Sequence, residues 1–200
     1  MKKELAHFLV DGKYGWDQEQ FTEWRMNRGG CAAVTACDAM IVLARDRGMP
    51  GLCPFTPSDT VSREDYLALT KLMEPGLHPR PKGVNSTKLY MDGLREYLDT
   101  RPGPKPALRS VEGSEPFAAA RAAVKDSIDR GFPVPYLMLR HRDEGLWDYI
   151  WHWFLLNGYE ERPDVFLVKV VSYGEWVWMD LGCLWDTGFD EKGGFIVFSE

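Results

Sequence analysis

Cysteine is scarce: four in 200 residues, with no CxxC pair and no HExxH run among them. A chain this long does not need disulfide staples to hold a core, so the four read as free thiols. Cys31 and Cys37 stand six residues apart, about a third of a turn out of line on a helix, and would not share one ion. No metal and no cofactor is expected. Apolar runs of membrane-spanning length are missing too, and the one in MKKELAHFLVDGKYGWDQ is too short and interrupted for a signal peptide. No membrane partner is therefore expected, and a cytoplasmic location follows if the chain is complete. Basic clusters are also lacking. The 24 Lys and Arg residues are scattered among 30 Asp and Glu, for a formal charge of −6, which leaves no footprint for a phosphate backbone. Nucleic acid is not an expected partner.

With 44% hydrophobic and 27% charged residues, the composition is that of one domain with enough apolar material for a core. No internal repeat or low-complexity tail interrupts it. Residues 31–47 are apolar around almost the whole helical circumference, so a helix from Cys31 should lie buried in the middle of the domain. Arg45 and Arg47 suit its negative end, and Gly48-Met49-Pro50 stops it. Thr35 and Asp38 are the only polar positions in its first two turns and read as a less buried edge. Ser62-Arg63-Glu64-Asp65 resembles a capping box opening a helix to about Met73, before Pro75-Gly76. A third helix is expected over 86–98, and RPGPKP at 101–106 breaks it. Ser114, as N-cap before Pro116, opens a fourth helix ending at Gly131.

From Val134 onward the pattern turns to β: VPYLMLR, DYIWHWFLLNGY, DVFLVKVVSYG, EWVWMD and GFIVF. The expectation is an α+β fold over residues 1–200. Residues 1–130 are mainly helical, 131–200 form an antiparallel sheet, and the two parts face each other across a groove.

Two residues carry chemical weight. Cys31 sits where a helix amino terminus stabilises a thiolate and offers N–H groups to a developing oxyanion, with Gly29 and Gly30 leaving space for a substrate. His152 stands on a strand otherwise made of bulky apolar side chains, and a neutral imidazole is the natural base for a thiol. On this reading a thiolate–imidazolium pair is the working form. His7, His78 and His141 read as surface histidines. Cys53 and Cys183 lack a base nearby in sequence. Trp147, Trp151, Trp153, Trp176, Trp178 and Trp185 are divided between core, sheet cover and cleft lining.

Gly29-Gly30-Cys31, with the apolar helix behind it, resembles the nucleophile segment of bacterial papain-like cysteine peptidases, especially the branch related to the double-glycine peptidases that process bacteriocin leaders. In that family a helix leads to a glycine and a proline-containing strand, then a loop, then a histidine strand of the form H-x5-G-Y. Here these are Asp129-Arg130-Gly131-Phe132-Pro133-Val134 and His152 through Gly158-Tyr159. Val171-Ser172-Tyr173-Gly174 looks like the family's N-S-W-G segment, with Tyr173 in the tryptophan's place. The order matches from residue 31 to the end.

The resemblance implies a papain-like fold and a cysteine peptidase or amidase working through an acyl-enzyme. Cys31 would be the nucleophile, His152 the general base and acid, and a peptide or protein substrate would lie in a groove. Two supporting positions depart from the family. Val171 stands where an Asn or Asp would orient the histidine, which leaves Ser172 or Asp180 as the orienter; parity points Asn157 to the opposite face. Arg25 stands where a glutamine would serve the oxyanion. Asn27 is the nearest side-chain amide, while Gln18 and Gln20 return only if the intervening segment loops back. A peptide-binding scaffold without efficient catalysis and a thiol acyltransferase are the alternatives. No feature of the sequence sets the oligomeric state.

Overall fold

Alternating side chains along the carboxy-terminal strands divide the molecule into two cores, one on each face of a single sheet. The computed structural model describes residues Met1–Glu200. The strands are β1 (Lys2–Glu4), β2 (Leu9–Val10), β3 (Lys13–Tyr14), β4 (Thr60–Val61), β5 (Ala107–Glu112), β6 (Val134–Met138), β7 (His152–Glu161), β8 (Phe166–Ser172), β9 (Glu175–Asp180) and β10 (Gly193–Ser199). The α-helices are α1 (Trp24–Gly29), α2 (Cys31–Asp46), α3 (Arg63–Leu77), α4 (Thr87–Asp99), α5 (Phe117–Asp129) and α6 (Leu181–Trp185). The fold is α+β.

The main sheet runs β5-β10-β6-β7-β8-β9, antiparallel throughout. β7 pairs with β6 over its first half and with β1 over its second. A small second sheet joins β3, β2 and β4.

Leu137, Trp153, Leu155, Val171, Ile196 and Phe198 face the larger core, with α2, α3 and α4. Tyr136, Phe154, Leu156, Val170, Phe195 and Val197 face the smaller one, under α5 and α6. Helices therefore cover both faces, and the expected two-part arrangement holds only for α2–α4. β1 and β5 also come from the portion read as helical. Both are short, and β5 buries only Val111 completely, so neither carries a strong strand pattern.

α2 is buried from Ala32 to Ala44, as its all-round apolar sequence requires. At its end Arg45 donates to the carbonyls of Ala6 and His7. Ser62 caps α3, accepting from Asp65 N at 3.1 Å and donating to its carboxylate at 2.8 Å. α3 runs on through Pro75 to Leu77 instead of ending near Met73. Gly76 lies against Gly93 of α4, where a Cβ would run into the Gly93 carbonyl, and this close crossing holds the last turn. α4 starts after Ser86 as expected. α5 begins at Phe117 with Pro116 at the cap, so Ser114 belongs to the preceding turn and caps nothing. The expected strand from Asp148 starts only at His152, because residues Glu144–Tyr149 form a 3₁₀ turn. No helix is long and apolar enough to cross a membrane.

Candidate active site

Cys31 is the first residue of α2 and is half-buried. Gly30 precedes it because a Cβ there would lie 2.5 Å from the Met26 carbonyl; at Gly29 it would press on Pro79 at 3.1 Å. The two glycines thus allow close packing at the α1–α2 junction, and Gly29, with Pro79 and Cys31, also borders an open cleft. Three backbone N–H groups, of Trp153, Ala32 and Cys31 itself, favour the Cys31 thiolate, but burial outweighs them and raises the thiol above its ordinary value.

His152 opens β7 directly after Trp151, which holds a left-handed φ of 51°. Its Nε2 lies 2.7 Å from Ser172 Oγ, and its ring stacks on Tyr173 with centroids 4.7 Å apart and planes 3° from parallel. Both partners come from one tight hairpin. Tyr173 and Gly174 have φ of 55° and 73°, the signs that a two-residue turn joining β8 to β9 needs. The Tyr173 hydroxyl donates to Asp148 O at 2.7 Å and anchors this cover.

Nδ1 of His152 makes no hydrogen bond within the protein. The ring and Cys31 border one recess of about 10 Å³, which continues into a cleft of about 1080 Å³. No hydrogen bond joins thiol to imidazole. Burial pulls His152 down to about 4. Burial thus pushes both groups toward their neutral forms, away from the expected thiolate–imidazolium pair.

Gln18 reaches the site through a return of the chain. Residues Gln18–Gln20 form a 3₁₀ turn capped by Asp17. Asn27 Nδ2 donates to Glu19 O at 2.7 Å and Phe21 O at 3.2 Å, tying that turn back to α1. Gln18 consequently lines both recess and cleft, with its Oε1 buried and unpartnered. Asn27 spends both of its amide hydrogens on this tie and does not border the recess, so it is not an oxyanion donor. Gln20 points to Arg63 instead.

Asp180 is also excluded as an orienter. It caps α6 by accepting from Gly182 N at 2.8 Å, and it pairs with Leu167, about 17 Å along β8 from Ser172. Asn157 is buried elsewhere, with Nδ2 3.3 Å from Tyr14 Oη. Ser172 alone holds the ring by a hydrogen bond.

Beneath Cys31, Thr35 and Asp38 are buried, not an exposed edge. Thr35 bonds back to Cys31 O at 2.7 Å. Asp38 accepts from Tyr66 Oη at 2.7 Å and lies 3.6 Å from His7 Nε2. The His7 ring is buried between Phe8 and Tyr14, each 4.6 Å away, and is no surface histidine. Nor is His141, whose two nitrogens bond Cys183 O and Asp143 N, both at 2.9 Å. His78 is exposed as expected. Trp153 and Trp185 are core residues, while Trp151 lines the cleft beside Trp24, an aromatic residue with no periodic partner to flag it.

No three His, Cys, Asp or Glu side chains converge as a metal site would need. The chain matches no protein-family model, no curated protein and no solved structure.

Proposed function

We propose that the chain is a papain-like thiol hydrolase of peptide or other amide bonds, working through an acyl-enzyme. One observation carries this reading. Gln18, Cys31, His152 and Ser172 arrive from four separate segments at one recess, and the first three also border the cleft, with His152 committed at Nε2 and free at Nδ1. The resemblance in sequence points the same way, and the return of Gln18 supplies the amide that Arg25 lacks.

Cys31 Sγ attacks the substrate carbonyl while His152 Nδ1 takes the thiol proton, so the proton moves within the step because the resting pair is neutral. The oxyanion is met by the Cys31 N–H and the Gln18 carboxamide. Collapse breaks the C–N bond, His152 protonates the departing amine, and a thioester remains on Cys31. Water, deprotonated by His152, then releases the carboxylic acid and restores the thiol. Ser172 keeps the ring in place, and Tyr173 shields its face. The four free cysteines suit a reducing, cytoplasmic setting.

A second reading, a peptide-binding scaffold without turnover, is favoured by the neutral pair and by the lack of a thiol–imidazole hydrogen bond. Quenched fluorescent peptide libraries, with acid-quenched intact-mass analysis of the protein, separate the two. The hydrolase reading expects turnover that requires both Cys31 and His152, and an acyl adduct on Cys31. Neither turnover nor adduct in a protein whose Cys31 can be alkylated leaves the scaffold. Product analysis with added amines tells acyl transfer from hydrolysis.

A further inference from the structure

The cleft has a charge that the chain as a whole conceals. Arg25 and Arg28 reach it from successive turns of α1, Arg80 and Lys82 from the loop between α3 and α4, and Arg140 from the end of β6. Its only carboxylate is Glu191, which pairs with Arg140 at 3.2 Å. The other four cations form no salt bridge with any carboxylate of the protein. Arg80 is further held at an unsatisfied position, since one guanidinium nitrogen donates to Gly76 O at 3.3 Å and the other, Nη1, is buried without a partner. A chain of net charge −6 has thus concentrated unpaired positive charge around one concavity.

Low-dielectric walls focus such a field on the groove, while the acidic remainder of the surface repels the same ligand elsewhere. Trp24 and Trp151, 68% and 47% exposed, stand on the rim, with the Arg28 guanidinium 5.9 Å from the Trp24 ring centre.

We propose that this cleft selects an acidic polypeptide segment, whose carboxylates on either side of the scissile amide are met by Arg25, Arg28, Arg80 and Lys82. The proposal deepens the thiol-hydrolase reading and rests on it for the placing of the amide at Cys31. A nucleic acid would satisfy the charge, but it offers Cys31 no acyl carbon. The four cations come from α1 and from the loop after α3, two segments that meet where Gly29 packs on Pro79.

The test uses three fluorescein-labelled dodecapeptides that are identical except at four positions, which carry Glu, Gln or Lys. Anisotropy titrations with the full-length Cys31→Ser protein measure binding without turnover. The Glu peptide is expected to bind about tenfold or more tighter than the Gln peptide at low ionic strength, and the gap should close by about 0.5 M salt. The double reversal Arg28→Glu/Lys82→Glu, at exposed positions, should shift the preference toward the Lys peptide. Equal affinity for Glu and Gln peptides overturns the proposal, as does a salt-independent difference. So does a single-stranded oligonucleotide that displaces the Glu peptide at lower concentration than the unlabelled peptide does.

Turnover by the wild-type protein keeps the two readings apart. If the Gln and Glu peptides are cleaved with equal kcat/KM, the acidic preference fails and the hydrolase stands. If the Glu peptide binds selectively yet neither is cleaved nor acylates Cys31, the hydrolase fails and the acidic cleft stands.

Discussion

His141 and His152 are equally buried, each 6% exposed, and both border the 3₁₀ turn Glu144–Tyr149, yet their bonding differs. His141 spends both ring nitrogens, accepting from Asp143 N and donating to Cys183 O, so its tautomer is fixed and it ties its own loop to α6. His152 spends one nitrogen on Ser172 and leaves the other without a partner, and its ring borders the recess that Cys31 also lines. Burial alone therefore does not single out a candidate reactive histidine. Unspent hydrogen-bonding capacity beside a thiol and a cleft does.

Exchanging the damage between the two is the strongest way to break this contrast. His152→Ala should lower peptide turnover about a thousandfold at a smaller stability cost, since it removes one buried hydrogen bond and one stacking contact. His141→Ala should cost about 2–4 kcal/mol of stability through its two buried hydrogen bonds, read by urea denaturation, and spare kcat in the fraction that stays folded. Loss of turnover in a fully stable His141→Ala protein would sink the comparison.

Acid stability comes next. The folded state holds His152 at about 4 against about 6.5 unfolded, so between these values only the unfolded chain binds the proton. Stability is fully present above about pH 6.5 and falls by roughly 3 kcal/mol as pH drops to about 4 and below. Denaturant melts across that range should lose this part of the slope in His152→Ala.

Gln18→Ala should reduce kcat about a hundredfold with little effect on stability. Asn27→Ala should reproduce part of that loss at a distance, by releasing the turn that carries Gln18. Unchanged kcat in Gln18→Ala would remove this residue from the oxyanion site.

The smallest effect sharpens the comparison. A carboxylate beside Nε2 would raise His152, so Ser172→Asp should increase the rate of Cys31 alkylation by iodoacetamide at pH 7 about tenfold. The wild-type thiol, raised by burial, should react slowly at pH 7 and faster as pH rises. Rapid alkylation of the wild type at pH 6 would contradict the neutral pair.

Much of the framework is legible along the chain because its signals are local. The all-apolar run behind Cys31 requires a buried helix, Ser62 announces its helix, and the alternation of Trp153 and Leu155 with Phe154 and Leu156 assigns faces of a sheet. Cys31, His152 and Ser172 are singled out by residue type and order. Gln18 is not, because its return depends on two hydrogen bonds from Asn27 to carbonyls six and eight residues earlier, for which no spacing rule exists. His7 and His141 lie in loop-like sequence, and only the packing around them shows that their rings are buried. Asp180 looked available to His152 until its neighbours showed it capping α6.

The sequence by itself determined the buried helix that begins at Cys31 and the antiparallel β character of the carboxy-terminal half, since periodicity, caps and turn residues act over a few positions. Tertiary structure alone decided which amide reaches the recess, that burial pushes thiol and imidazole toward their neutral forms, and that a chain of negative total charge surrounds its cleft with unpaired cations. Each depends on desolvation or on charges brought together from distant segments, and these quantities exist only once the chain has closed on itself.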